Sequence, residues 1–447
     1  MNKLAVAPFL LCLVALGSAA SPLRAADPPS EAQLRDFSKK LTLALTGGME
    51  AQAASKMVLS LLSPGIGIKQ EMTNDGNDAE LLAMTVDKIP KLSTVFTQHG
   101  DYTFSDVYSK ILNTGELKKI NQPLSPAEKK SYDDAVKLLD PDQEPMKTYQ
   151  KLVMKYAVAK DAQNAMLYEE KKSGPNPKRS QINARASQAL AAMNKYKNTI
   201  DSAQQKIFQL DARGGGAYWT QLRARLEENK TNTGVYKTLF FPEVPDWKSS
   251  DSWTKYTFKT SDHVDESSYS KVTTQAKVSY GLFASGTASY SKEVADSMAK
   301  DNNSEISFEL LRVQILRPWL DYSLLSDDNW KWDRKQPVSF GTVELNSDRA
   351  NSPTECLMPL YYGTIFVVRK VALTAKFSEE TKHAVATEMS ASGGASYGPF
   401  SFGGDYNKVQ KNSHNEARLT ETGIEAPGMQ IIAVAGTIPP LSPKSKK

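Results

Sequence analysis

The residues best suited to catalysis or metal binding are few in this chain of 447 residues, and they are widely spaced. The four histidines are His99, His263, His383 and His414, and none stands in the His-Glu-x-x-His spacing that binds zinc. The phosphate-binding pattern Gly-x-x-x-x-Gly-Lys is also missing from the sequence. We therefore expect no enzyme activity, no metal and no cofactor.

Residues 1–26 have the pattern of a secretory signal. Their apolar run, Leu4–Leu16, has the length of a signal-peptide core and is too short to cross a membrane. Small residues predict cleavage near Ala20 or Ala26, so we expect a periplasmic or secreted protein. Cys356 is the only cysteine after this region, which predicts a fold without an internal disulfide. The net charge of +5 is too small to indicate a nucleic-acid partner.

Two Gly/Ser-rich stretches carry the most distinctive pattern in the sequence. We name Ala276–Lys292 the first soft segment and Ala391–Lys408 the second soft segment. Apolar and hydroxyl side chains alternate at period two, and the phase changes at Pro399, which predicts a turn or bulge there. Such alternation suits a sheet with one wet face or a strand of a transmembrane barrel. The residues expected to face lipid are Val278, Tyr280, Leu282, Phe283, Ala284, Tyr290, Met389, Tyr397, Phe400, Phe402 and Tyr406.

The two soft segments also belong to a longer repeat. Tyr280 matches Tyr397 at an offset of 117 residues, and Gln314 matches Gln430 at an offset of 116. A nearly constant offset over this distance predicts an internal duplication. The related halves would be residues 253–319 and 361–436.

The amino-terminal half reads as helical. Apolar residues recur at steps of three and four over 149–166 and 182–210, and a Gly/Pro-rich loop separates the two stretches. This spacing predicts a long helical hairpin. The apolar stretch Lys56–Ile68, split by Pro64-Gly65, is interpreted as a buried helix end and turn.

The composition changes near residue 240, where Ser, Thr, Tyr, Val and Gly become frequent. The firmest expected strands are Ser307–Leu316 and Thr364–Phe377. The predicted class is therefore α+β, with a helical amino-terminal domain followed by a β-rich domain that contains the duplication. The expected boundaries are 1–26 for the signal, 27–240 for the helical domain, 241–438 for the β-rich domain and 439–447 for a basic tail.

A cluster of aromatic residues follows the first of these strands. It consists of Trp319, Tyr322, Trp330 and Trp332. Aromatic rings with one polar edge suit core packing, ligand recognition or the lipid headgroup zone. The loop that carries them is the candidate binding surface.

The β-rich half resembles the membrane attack complex/perforin and cholesterol-dependent cytolysin superfamily. The sequence Tyr362-Gly363-Thr364-Ile365-Phe366 is similar to the family's Tyr/Trp-Gly-Thr-His-Phe/Tyr signature, with Ile365 in place of histidine. The soft segments resemble those of that family in their Gly/Ser-rich amphipathic pattern, and not residue by residue. The resemblance covers at most residues 250–438. It implies a bent sheet flanked by two clusters that unfurl into membrane hairpins.

These observations predict an exported membrane-interacting and pore-forming protein, which inserts both soft segments after self-association into a homo-oligomer. The alternative is a non-catalytic envelope or secreted binding module with a static β domain. The expected partner is thus a lipid membrane or an envelope protein, and not a nucleic acid. A third hypothesis is an α-helical toxin, in which the helical hairpin inserts instead.

Overall fold

The protein has an α+β fold in which helices cover both faces of an antiparallel sheet, and this confirms the predicted class. The computed structural model describes residues 29–46, 58–68, 76–91, 98–118, 123–211, 213, 217–247, 253–262, 291–301, 303–327, 329–332, 337–341, 356–390, 395–403 and 417–443. The expected signal therefore lies outside the described residues. All structural statements below concern this part of the chain.

The helices alternate with short strands in the amino-terminal half. They are α1 (Pro29–Thr46), α2 (Gly76–Asp87), α3 (Phe104–Thr114), α4 (Pro126–Leu138), α5 (Met146–Ser173), α6 (Arg179–Leu210), α7 (Ala217–Glu228), α8 (Lys292–Lys300) and α9 (Glu379–Ser390). The first strands are β1 (Val58–Ile68), β2 (Lys88–Lys91), β3 (Gln98–Thr103), β4 (Glu116–Leu117), β5 (Leu239–Phe241) and β6 (Thr254–Lys259). The later strands are β7 (Glu305–Leu316), β8 (Trp330–Lys331), β9 (Ser339–Phe340), β10 (Tyr361–Thr374), β11 (Ala395–Tyr397), β12 (Phe400–Phe402), β13 (Arg418–Thr420), β14 (Gly423–Ala426), β15 (Met429–Thr437) and β16 (Leu441–Ser442).

Strand β10 is the centre of the sheet. One edge pairs with β7 from Thr364 to Thr374, and the other edge pairs first with β15 and then with β14. Strands β6 and β5 extend the sheet beyond β7, and β1 extends it beyond β15. The two expected strands are confirmed as β7 and β10. The buried residues of β7 alternate along the strand and change phase at Leu310-Leu311, so the first half of the strand is buried on one face and the second half on the other.

Each face of the sheet has its own apolar core. Val313 and Ile365 point to a core that α2, α3, α4 and α7 complete. Phe308 and Phe366 point to the opposite core, which α1, α8, α9 and the β11–β12 pair complete. Because both faces are covered, β10 and β15 are nearly continuous apolar runs rather than alternating ones.

The prediction of a helix end at Lys56–Ile68 is wrong for the residues that the structure describes. Val58–Ile68 is strand β1, and Val58 and Ile68 pair with Gly436 and Met429 of β15. Pro64-Gly65 lies where the register shifts, so it forms an irregularity in a strand rather than the end of a helix. A short apolar run buried on both faces cannot be assigned to helix or strand by periodicity alone.

The amino-terminal and β-rich halves share their packing. Val58, Ile207 and Leu222 belong to the same buried cluster as Leu311 and Val434. The expected boundary near residue 240 therefore runs through one hydrophobic core.

Helices α5 and α6 pack side by side and are joined by residues 174–178. The Gln163 side-chain amide donates a hydrogen bond of 2.9 Å to the Asn183 side-chain oxygen across the pair. The end of α6 is anchored, since Ile200, Ala203 and Ile207 are buried. We call α5 and α6 the helical arm.

Strands β10 and β15 approach so closely at one point that the chain needs glycine. A Cβ atom at Gly436 would lie 2.0 Å from the carbonyl oxygen of Tyr361 and 2.4 Å from the Cα of Tyr362. Gly363 lies at the register shift of the same strand pair, yet a Cβ there would meet only the Ile315 oxygen, at 3.8 Å. The two glycines therefore make a matched pair for substitution.

We expect Gly436→Ala to lower the free energy of unfolding by about 3 kcal/mol or more, because the added methyl overlaps backbone that cannot move away. Gly363→Ala should change it by less than about 1 kcal/mol. Chemical denaturation of both variants measures the difference. Equal losses would contradict the close approach.

Candidate functional site

The structure describes four of the eleven residues expected to face lipid. Val278, Tyr280, Leu282, Phe283, Ala284, Tyr290 and Tyr406 lie outside the described residues. Met389 is half-buried at the end of α9, whereas Tyr397, Phe400 and Phe402 are buried. The candidate site is therefore built from the second soft segment and from whatever contacts it.

Within the second soft segment, residues 395–402 form a small hairpin, β11–β12, which we call the docked hairpin. Ala395 pairs with Phe402 and Tyr397 with Phe400, so Gly398-Pro399 forms the turn. The turn predicted at Pro399 is thus confirmed. Every residue of both strands is buried.

Aromatic packing fixes the apolar side of the docked hairpin. Phe37 of α1 contacts Tyr397 and Phe400, with ring centroids 5.7 Å apart in each case. Phe308 of β7 contacts Phe400 from the sheet at 5.2 Å. Such ring pairs contribute roughly 0.5–1.5 kcal/mol each beyond the burial of their area.

One buried glutamine side chain holds the backbone of the docked hairpin. The Ser401 N–H donates to Gln430 Oε1, and Gln430 Nε2 donates to the Ser401 carbonyl oxygen, both at 2.9 Å. The Ser401 hydroxyl donates to the Gly65 carbonyl oxygen at 3.1 Å, and the Gly65 N–H donates to the Pro399 carbonyl oxygen at 2.9 Å. Buried backbone groups of the hairpin are satisfied in this way by Gln430 and by Gly65 of β1, without a strand ladder to the main sheet.

A further hydrogen bond joins the docked hairpin to α8. The Ser291 N–H donates to the Ser396 carbonyl oxygen at 2.8 Å. Ser291 also caps α8, because its hydroxyl accepts a hydrogen bond from the Val294 N–H. The end of the first soft segment is therefore tied to the second.

Burial shifts the pKa of two ionisable groups near the docked hairpin, Tyr397 and Glu388. Burial raises the pKa of the Tyr397 hydroxyl, with a smaller contribution from the Asp36 carboxylate. Burial also raises the pKa of the Glu388 carboxyl on α9, and the nearby Glu293 of α8 adds to this effect. Helices α8 and α9 pack against each other, so the two carboxyls meet at their interface.

The connections that contain the soft segments leave the sheet at the same end. Lys259, the last residue of β6, pairs with Glu305, the first residue of β7. Thr374, the last residue of β10, pairs with both Glu305 and Gly423, where β14 begins. Residues 260–304 and 375–422 therefore connect neighbouring antiparallel strands at one level of the sheet.

The aromatic cluster expected to form a binding surface lies mostly in the core. Trp319 is 0% exposed and Trp330 is 1% exposed, while Tyr322 and Trp332 are partly buried against the same cluster. The binding-surface prediction is therefore wrong for Trp319 and Trp330. Their indoles pack on Tyr236 and Trp219, and such large apolar rings gain most from full burial.

Ser396 completes a Gly-x-Ser-x-Gly pattern at residues 394–398. In nucleophile elbows the serine sits exposed on a strand-to-helix turn. Ser396 instead lies within strand β11 and is 5% exposed. Its setting is that of a packed strand residue.

A buried arginine outside the soft segments was not foreseen from the sequence. Arg317 donates to the carbonyl oxygens of Tyr362 and Val86 at 2.8 and 2.7 Å, and its guanidinium lies 4.4 Å from the Phe104 ring centroid. It joins the start of β10 to α2. The signal in the sequence was only an arginine before a proline at the end of a strand.

Within the described part of the chain, no group of His, Cys, Asp and Glu side chains is arranged to bind a metal ion. No described helix has an apolar stretch long enough to cross a membrane. Comparison of the chain with protein-family models, curated proteins and solved structures gives no match.

We expect Gln430→Met to lower the free energy of unfolding by roughly 3 kcal/mol, because it leaves the buried Ser401 N–H and carbonyl without partners. Gln314→Met is the matched control, since Gln314 is half-buried and accepts one hydrogen bond from Thr364 at 3.1 Å. The control should lose less than about 1 kcal/mol. Denaturant titration measures both, and faster amide exchange at Ser401 should accompany only the first. If Gln430→Met were as stable as the control, the two hydrogen bonds between Gln430 and Ser401 would contribute nothing to the free energy of unfolding.

The contribution of the Glu388 carboxyl to the free energy of unfolding should be smaller at neutral pH than at pH 4. A carboxyl whose folded pKa is raised stabilises the fold below its unfolded pKa, and the contribution is lost as pH rises through the folded pKa. We expect Glu388→Gln to be more stable than the natural sequence at pH 7, with the difference shrinking towards pH 4. Thermal unfolding across this pH range measures it.

The control for this pH dependence lies on the same helix. Hydrogen bonds from its own backbone and from Ser378 lower the pKa of Glu380. A lowered pKa stabilises the fold above the unfolded pKa, and the contribution is lost as pH falls. Glu380→Gln should therefore be less stable than the natural sequence at pH 7, and a shift of the same sign in both variants would contradict the assignment.

Proposed function

We propose that the protein is an exported, membrane-interacting and pore-forming protein, which inserts its two soft segments as strand hairpins after self-association. The observation that supports the proposal is that residues 260–304 and 375–422 connect neighbouring strands at the same end of the sheet. If each connection extends, the ladders β6–β7 and β10–β14 lengthen in the same direction. Within the sheet, the short pairing of β13 with β14 is the one that has to break for this to happen, because β13 lies in the second connection.

The lengths of the connections fit this role. They contain 45 and 48 residues, and a transmembrane strand needs only about 9–11. Each connection can therefore supply two spanning strands and a turn. Two hairpins from one chain would leave edges unpaired in a bilayer, so self-association into a closed ring is required.

The free energy needed to release the docked hairpin depends on whether its side chains enter water or lipid. Exposing Tyr397, Phe400 and Phe402 to water would cost about 2 kcal/mol for each side chain. Moving them from the core into hydrocarbon removes most of that cost. The remaining cost is the loss of the Gln430 and Gly65 hydrogen bonds, which new strand pairing would offset.

The resemblance to the membrane attack complex/perforin and cholesterol-dependent cytolysin superfamily supports the proposal. The sequence Tyr362-Gly363-Thr364 lies at the start of β10, the third of the four neighbouring sheet strands β6, β7, β10 and β14. Ile365, where that family has histidine, is buried in the core. The internal duplication also stays part of the proposal. An offset of 116 carries β6 and β7 onto the end of β10 and onto β14–β15, which pair in the same antiparallel sense.

A second candidate is a static envelope or secreted binding module. The observation that favours it is the complete burial of the docked hairpin between α1 and the sheet. In such a protein the second soft segment would be a core element only. The two candidates differ in whether the docked hairpin has to leave its position between α1 and the sheet for the protein to function.

A reversible disulfide tests the release directly. In a Cys356→Ser background, Ser291→Cys and Ser396→Cys introduce cysteines at two positions whose backbones are hydrogen-bonded, close enough for a disulfide. We expect the reduced chain to release dye from vesicles and the oxidised chain to release at least tenfold less. The measurement is dye efflux before and after addition of a reductant, with anionic, neutral and sterol-containing vesicles.

Each single-cysteine variant controls for the loss of the Ser291 cap and for non-specific oxidation. Both should release dye equally under oxidising and reducing conditions. Leakage by the oxidised double variant at the level of the reduced one would remove hairpin release from the mechanism. No leakage from any vesicle by the natural sequence would favour the static module.

A further inference from the structure

The helical arm carries a net positive charge larger than that of the whole chain. Residues 146–210 contain twelve Lys and Arg against four Asp and Glu, a net charge of +8, whereas the whole chain has +5. The rest of the chain is therefore net negative. Charge of one sign concentrated on a single element is the electrostatic footprint of a polyanionic partner.

A groove of about 220 Å³ lies along this arm between α5, α6 and strand β5. Val158 and Ala159 of α5, Ile182 of α6 and Phe241 of β5 supply its apolar lining. Lys155 and Arg185, one from each helix, complete the lining with positive charge. The groove thus combines an apolar wall with two cations.

The two cations of the groove are available to a ligand. Lys155 and Arg185 are both exposed, and no acidic side chain among the described residues forms an ion pair with either. Other cations of the arm are already engaged. Arg179 pairs with Glu170 at 3.2 Å, and Lys197 pairs with Asp201.

The arm also exposes apolar side chains that a soluble helix normally turns inward. Val153 of α5 and Leu190 of α6 are each 37% exposed, and they are among the few large apolar residues on the described surface that are this open. Cations beside exposed apolar residues are the composition of a helix that lies in a lipid headgroup layer.

We propose that the helical arm is an anionic-phospholipid binding surface, in which Lys155 and Arg185 hold the headgroup phosphate and the apolar groove takes the upper part of an acyl chain. A phosphate between a lysine and an arginine accepts charge-assisted hydrogen bonds from both. Cavities of about 300–1,000 Å³ enclose whole drug-sized ligands, so a groove of about 220 Å³ suits part of a lipid.

The apolar lining decides between lipid and nucleic acid. A nucleic acid would use the charge of the arm but would leave Val158, Ile182 and Phe241 without a partner. A phospholipid uses both features. The proposal does not depend on pore formation, because an arm that binds the bilayer surface serves a pore-forming protein and a static envelope module equally.

The test measures vesicle binding separately from leakage. The chain from residue 27 is mixed with neutral phosphatidylcholine vesicles or with vesicles that contain phosphatidylglycerol, and bound protein is quantified by flotation. We expect binding to the anionic vesicles only. Lys155→Gln with Arg185→Gln should weaken it by about thirtyfold, since each basic residue near an anionic surface contributes about fivefold.

Lys130→Gln with Lys137→Gln is the charge-matched control. These lysines are exposed on α4, outside the arm, and their loss changes the net charge by the same amount. This control should weaken binding less than threefold. Equal losses in the two double variants would overturn the proposal, because binding would then follow total charge.

Ala162→Phe tests the apolar part of the groove without changing charge. Ala162 lines the groove and is exposed on α5, so the larger ring can fill the space while the helix stays folded, as circular dichroism would verify. We expect about fivefold weaker vesicle binding. Unchanged binding, or equally tight binding of duplex DNA at matched phosphate concentration, would overturn the assignment to lipid. Binding without dye release would leave this proposal standing while it removes pore formation.

Discussion

The rest of the structure depends on strand β10, which pairs with neighbouring strands along both of its edges. Residues between Thr364 and Thr374 pair with β7 on one side, and the other edge pairs with β15 over Tyr361–Val368 and with β14 over Val371–Thr374. A strand in this position cannot slip by one residue, because a slip would exchange the side chains of the two cores. Its register therefore fixes the level at which both long connections leave the sheet. Everything inferred about the soft segments starts from that level.

The docked hairpin is held in the core by an attachment different from that of the sheet strands. Its apolar side chains pack against Phe37 and Phe308, and its backbone is held by a glutamine side chain and by Gly65 rather than by a complete strand ladder. A ladder would have continued the main sheet and been as stable as the sheet itself. A few side-chain hydrogen bonds plus apolar packing hold the segment in place without making it part of the sheet. In the proposed function, this difference in attachment is what allows the segment to leave.

Some of the candidate site was predictable and some was not. The turn at Pro399 followed from the change of phase, since side chains alternate in every strand regardless of its neighbours. The burial of Trp319 and Trp330 did not follow, because an indole ring suits a core and a surface equally well until its neighbours are known. Gln430 was found as the repeat partner of Gln314, but its sequence position gave no sign that it clamps Ser401. The cationic arm was visible as charge, and the groove between its helices was not.

The sequence alone determined the α+β class, strands β7 and β10, and the amphipathic character of the soft segments, because each rests on a local period of side chains. Only the tertiary structure decided that Val58–Ile68 is a strand beside β15, that helices of the amino-terminal half share a core with one face of the sheet, and that residues 395–402 are buried. The physical reason is that a period specifies which side chains share a face. It does not specify what that face will meet, since burial is decided by residues more than 300 positions away, as between Gly65 and Pro399.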